Sequence, residues 1–158
     1  ICNSSQVNKN ILLAVLLRDE KDNHEYFAHK YDIANNIKEN LNLLARNLKL
    51  SREHKDFFGK DLEKNIYLNN KNHLIDLNII NFVNNNKRKE KDFSDTLKKI
   101  LQSKNNIFPI DGKHLMQKGM KEGLKLGRVL KMIEEEWIAN GFKISKNRVV
   151  EIIKLNSN

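Results

Sequence analysis

The residues best suited to chemistry lie in the last third of the chain, and the chemistry they suit is the binding of anions. Gly112, Gly119, Gly123 and Gly127 are four of only six glycines and fall within sixteen residues. Around them stand Lys113, Lys118, Lys121, Lys125, Arg128 and Lys131, with Glu122 the only acid between Gly112 and Ile133. A helix that begins in such a segment offers unpaired backbone N–H groups and the positive end of its dipole. Lysine or arginine beside that end completes a phosphate site. Gly119, Gly123 and Gly127 are spaced four apart, and glycine inside a helix costs about 1 kcal/mol against alanine. Their spacing therefore predicts the close approach of another backbone.

The charges of this segment run against the helix dipole. A helix is expected from Lys121 or Glu122 to Asn140, ended by Gly141, with Leu126, Val129, Leu130, Ile133 and Trp137 as its buried stripe. Lys121, Lys125, Arg128 and Lys131 crowd its first half, and Glu134, Glu135 and Glu136 crowd the other end. The macrodipole favours the reverse order by about 0.3–1 kcal/mol for each well-placed charge. Stability given up in this way is explained if the first half meets an anion.

No catalytic or metal-binding constellation accompanies it. The five histidines, His24, His29, His54, His73 and His114, form no pair at i, i+4 and no cluster with cysteine. Cys2 is the single cysteine, so no disulfide can form within the chain and a reducing compartment is expected. The formal net charge of +9 points to a polyanionic partner, nucleic acid before membrane. Lysine far exceeds arginine and asparagine is abundant, so the placement of the charge carries more information than its total. The longest apolar run, Ile11 to Leu17, is too short to span a bilayer. The chain opens on Ile1 rather than Met, so a further segment is expected upstream.

The elements that must position these residues are helices. Pro occurs once and Gly is scarce, and apolar residues recur at helical spacing with no alternating run. The expected fold is all-α, an elongated stack of about seven helices without a sheet. It divides into a body region, 1–104, and a glycine-rich basic tail, 105–158. A short apolar segment, Asn10 to Leu17, precedes a polar stretch from Arg18 to Asn23. A single stripe through Phe27, Tyr31, Ala34, Ile37, Leu41, Leu44, Ala45 and Leu48 predicts one long helix. Ser51 is expected to cap the next, with Phe57, Phe58, Leu62 and Ile66 in its core. Further helices are expected over Leu74–Val83 and 92–103, the latter capped by Asp92 or Ser94 with Leu97, Ile100 and Leu101 inward. Between them, Lys87-Arg88-Lys89 reads as a generic basic loop. Asp111 should cap a short helix that ends at Gly119, and Ser145 should cap a last one, Lys146 to Leu155.

The run Phe108-Pro109-Ile110-x-Gly112-x-x-Leu115-x-x-x-Gly119-x-x-x-Gly123-x-x-x-Gly127-x-x-Leu130, followed by Trp137 and Phe142, resembles the carboxy-terminal tail of class II CCA-adding enzymes. These belong to the tRNA nucleotidyltransferase and poly(A) polymerase family. Leu48-Lys49-Leu50-Ser51 with Glu53 resembles the body region that precedes the tail there. The chain departs from the family pattern at His114, where an acid would complete a capping box, and at Glu122 and Leu124, where prolines are common.

The resemblance implies a tRNA-binding body and tail, with the tail on the backbone of the acceptor and TΨC arms. The residues carried over for phosphate binding are Lys113, Lys118, Lys121, Gly123, Lys125, Gly127, Arg128 and Lys131. Neither the Asp-x-Asp of the family's catalytic head nor the Glu-Asp-x-x-Arg of its neck occurs in this sequence. Nucleotidyl transfer with Mg²⁺ and CTP or ATP is thus expected only with a head and neck on a missing or separate segment. No catalytic residue, metal ligand or cofactor is expected in this chain itself. The expected setting is the cytoplasm of a bacterium, ahead of a mitochondrial matrix. Two other readings stay open: a degenerate, non-catalytic RNA-binding remnant, and an unrelated helix-hairpin-helix nucleic-acid binder.

Overall fold

Apolar spacing becomes helix almost everywhere in the computed structural model, which describes residues 9–17, 23–85 and 87–156. Among the described residues there are nine helices and no strand, so the fold is all-α, with more and shorter helices than the expected seven or so. They are α1 (Lys9–Leu16), α2 (Asn23–Lys30), α3 (Asn35–Glu53), α4 (Leu62–Asn69), α5 (Lys71–Val83), α6 (Glu90–Gln102), α7 (Gly112–Gln117), α8 (Leu124–Ala139) and α9 (Lys146–Leu155). No described helix is long and apolar enough to cross a membrane. Cys2 and most of the polar stretch Arg18 to Asn23 lie outside the described residues.

The chain divides into two compact units, Ile1–Asn105 and Asn106–Asn158. The first closes around Leu44, Leu62, Ile66, Leu74, Leu77, Ile80 and Ile100, with α5 in contact with α1, α3, α4 and α6. The second closes around Leu115, Met120, Val129, Ile133, Val149, Ile152 and Ile153, where α8 packs on both α7 and α9. Each therefore has a hydrophobic core of its own, the main source of stability for helices this short.

Three expectations for the first unit need correction. The stripe from Phe27 to Leu48 belongs to two helices. Tyr31 N–H closes α2 on Phe27 O (3.0 Å), Asp32 turns to φ +45°, and α3 starts after Ala34. Asp tolerates that left-handed conformation better than most residues, and the apolar spacing stays in phase across the break. Ser51 is no N-cap, because its hydroxyl donates to Leu48 O (2.8 Å) inside the last turn of α3. Phe57 and Phe58 then lie in the turns that lead to α4, packed edge-on at 5.0 Å. Finally, α6 begins at Glu90 with neither Asp92 nor Ser94 as cap, and Leu101 is exposed while Ile100 is fully buried.

Asparagine shapes this unit. Asn70, at φ +67°, caps α5 by accepting from His73 N–H (3.0 Å). Buried Asn47 donates from one Nδ2 to Asn69 Oδ1 and to His73 Nε2, each at 2.9 Å. Since Nε2 accepts there, the His73 ring is neutral, and burial holds its pKa below the ordinary value.

Candidate nucleic-acid interface

The second unit is built around capped helix ends. Asp111 accepts from His114 N–H (2.9 Å) and so starts α7, as expected. The helix closes in a paired C-terminal turn: Gly119 N–H to Met116 O (2.9 Å) and Met120 N–H to Leu115 O (3.2 Å). Gly119 stands at φ +94°, where a side chain would be strained, and Met120 and Leu115 share the core. The same closure ends α8, with Gly141 at φ +65°, Gly141 N–H to Ile138 O and Phe142 N–H to Trp137 O (2.8 Å). The rings of Phe142 and Trp137 meet at 4.9 Å, and Phe108 flanks Trp137 at 5.3 Å. Trp137 is a core residue.

Between these closures the chain makes the turn that opens α8. This helix starts at Leu124, later than expected, with Gly123 as its N-cap residue at φ +140° and ψ −173°. That backbone conformation is essentially glycine's alone. Glycine has no side chain to accept from the first amides, and no acid lies in the first turn. The amino end of α8 therefore keeps its positive dipole end without a side-chain cap.

The glycines do not serve close helix packing in the way their spacing suggested. A Cβ added at Gly119, Gly123 or Gly127 would meet nothing within 4 Å. Gly119 and Gly123 are explained by their positive φ. Gly127 has no such reason: it lies inside α8, is exposed and faces open space. Only Gly112 answers to packing, since a Cβ there would come 3.3 Å from the Leu126 side chain.

That contact sets the first turn of α7, with Lys113, beside the first turn of α8. Lys118 and Lys121 lie on the connection between the two helices, and Lys125 and Arg128 follow on α8. All of these, with Gly123 and Gly127, are exposed. Lys131 is the outlier. It lies roughly 10 Å along α8 from Leu124, by the helical rise, and its Nζ sits 3.9 Å from Glu135.

One acid at the other end of α8, Glu136, is held by the neighbouring helix. Arg148 of α9 clamps Glu136 with two bonds, Nε to Oε1 (2.8 Å) and Nη2 to Oε2 (3.0 Å), and also bonds Glu151 (2.9 Å). The clamp holds the Glu136 carboxyl below its ordinary pKa and raises that of Arg148. Glu136 thus has an internal partner on α9 and Glu135 has Lys131 on α8 itself, while Lys125 and Arg128 are exposed. No spacing in the sequence signals this clamp. Leu124 is 85% exposed at the start of α8.

Among the described residues no group of three His, Cys, Asp or Glu is placed to hold a metal ion. No family model matches the chain, and no curated protein or solved structure matches it.

Proposed function

We propose that the unit Asn106–Asn158 grips RNA phosphates at the start of α8, as the tRNA-holding tail of a CCA-adding nucleotidyltransferase. In this reading the catalytic head and neck, with Mg²⁺ and CTP or ATP, belong to another segment or chain. Gly127 carries it: an exposed helical glycine that neither its backbone angles nor its neighbours require. Such a residue costs about 0.5–1 kcal/mol against alanine, and close approach of an external backbone offsets that cost. Gly123, Lys121, Lys125 and Arg128 supply the uncapped amides and the positive charge around it. Duplex RNA is held mainly through phosphates and 2′-hydroxyls, for which this donor set suffices.

Two helices joined by a glycine-containing turn also fit a helix-hairpin-helix grip on duplex DNA, and one experiment separates the two. Full-length tRNA and random duplex DNA compete for the chain at two salt concentrations, beside the variant Lys125→Ala/Arg128→Ala. Preference for tRNA is expected, weakened in the variant, with the log–log salt slope flatter by roughly 0.7–0.9 for each phosphate contact removed. Preference for duplex DNA would move the site to the second class. An indifferent variant would remove the site from α8.

A further inference from the structure

We propose a second binding site, in the unit Ile1–Asn105: a cleft at the ends of α3 and α5 that takes one nucleoside 5′-phosphate, free or as an unpaired residue of an RNA strand. The cleft has a volume of about 440 Å³, within the usual range for small-ligand sites. Arg52, Phe58, Asn81, Asn84, Asn85 and Arg88 line it, and no carboxylate does. The carboxyl ends of α3 and α5 each bring roughly half a negative charge. Arg52 and Arg88 bring the positive charge at the cleft, and Asp92 near Arg88 offsets part of it.

Arg88 is held in a fixed position without an acid. Its Nη2 donates to Asn78 Oδ1 (2.8 Å) and Thr96 Oγ1 (3.1 Å), and Nη1 to Asn78 O (3.4 Å). Asn78 is fully buried and its Nδ2 donates to Phe93 O (3.1 Å), so both ends of its amide are committed. Among the described residues no carboxylate forms an ion pair with Arg88. Burial lowers its pKa, and Asp92 nearby opposes that shift. A guanidinium placed by neutral acceptors at a cleft is suited to a phosphate, which it binds through charge-assisted hydrogen bonds.

The amides are oriented as well. Asn81 Nδ2 donates to Ser51 Oγ (2.9 Å), which donates to Leu48 O (2.8 Å), so Asn81 keeps its Oδ1 as an acceptor. Asn85 Oδ1 accepts from Lys87 N–H (3.1 Å), so Asn85 keeps its Nδ2 as a donor. One fixed acceptor and one fixed donor match the edge of a nucleobase, and Phe58 supplies the ring on which a base stacks. The site is independent of the α8 grip.

The test titrates the full chain with AMP, GMP, CMP and UMP, and with ribose 5-phosphate, by heteronuclear NMR. At least one nucleotide should bind about ten-fold more tightly than ribose 5-phosphate, and Arg52→Met or Asn81→Leu should each weaken it about ten-fold. Arg52 is exposed and Asn81 half-buried, so both variants should fold, and the amide spectrum reports whether they do. The Lys125→Ala/Arg128→Ala variant should bind nucleotides unchanged, so failure of either proposed site shows separately. A single-stranded pentanucleotide that binds more tightly than any monomer would assign the site to a strand; equal or weaker binding would assign it to a free nucleotide. No nucleotide binding at millimolar concentration would overturn the proposal. So would equal binding of ribose 5-phosphate, or folded variants that bind as the parent does.

Discussion

His73 and Asp76 lie one turn apart on α5 and titrate in opposite senses. Burial lowers the pKa of His73 from 6.5, while burial raises that of Asp76 from 3.8 to about 6. His73 thus contributes stability above pH 6.5 that is lost as the pH falls toward its folded value, because the unfolded chain binds the proton more readily. Asp76 does the reverse: the folded state takes up the proton first, so stability rises as the pH falls through about 6 and is lost as it rises. Below pH 6.5 the two effects oppose each other. Asp76→Asn should therefore raise the melting temperature at pH 7.5 and expose a steeper loss from pH 6.5 to 5. Thermal melts at pH 7.5, 6 and 5 test this, and parallel curves for parent and variant would contradict it. None of it was legible in the sequence, where His73 is one of five histidines and Asp76 one acid among many. The shifts come from packing partners distant along the chain.

At the scale of elements, four helix ends of the second unit were legible, whereas in the first unit Ser51, Asp92 and Ser94 cap no helix. Asp111, Ser145, Gly119 and Gly141 each act where their residue types say they should, because capping is local chemistry. Asp111→Ala should destabilise the second unit by about 1 kcal/mol. Gly141→Ala should cost it about 1–2 kcal/mol, since alanine is strained at that φ. Urea denaturation followed by the fluorescence of Trp137 measures both. The buried stripe of α8 was legible for the same reason of regular spacing. The break between α2 and α3 was not, because the stripe keeps its phase through Asp32. Nor was the division of labour among the glycines: equal spacing suggested one cause, whereas two answer to positive φ and only Gly127 is left without an internal cause. The cleft escaped notice because Asn78 and Asn81 interrupt an apolar helix pattern on α5 and Asn85 lies just beyond its end. That signal becomes informative only when Ser51 and Arg88 are brought to it.

For the whole molecule the question is whether the surplus of positive charge acts diffusely or from one place. A net charge of +9 spread over the surface draws any polyanion. If the grip is local, two charges removed from α8 and two removed elsewhere must differ. Lys38 on α3 and Lys98 on α6 are exposed and lie in the other unit. Lys38→Ala/Lys98→Ala should keep the preference for tRNA over duplex DNA that Lys125→Ala/Arg128→Ala loses, as competition binding at matched ionic strength will show. Equal losses would mean that charge alone is at work. The most direct test of the RNA grip removes no charge at all. Gly127→Ala adds one methyl group in open space on α8, and its stability and its tRNA affinity are measured together. The variant should have a helix more stable by about 0.5–1 kcal/mol and should bind tRNA more weakly. A variant that gains stability and binds tRNA as well as the parent would contradict the grip.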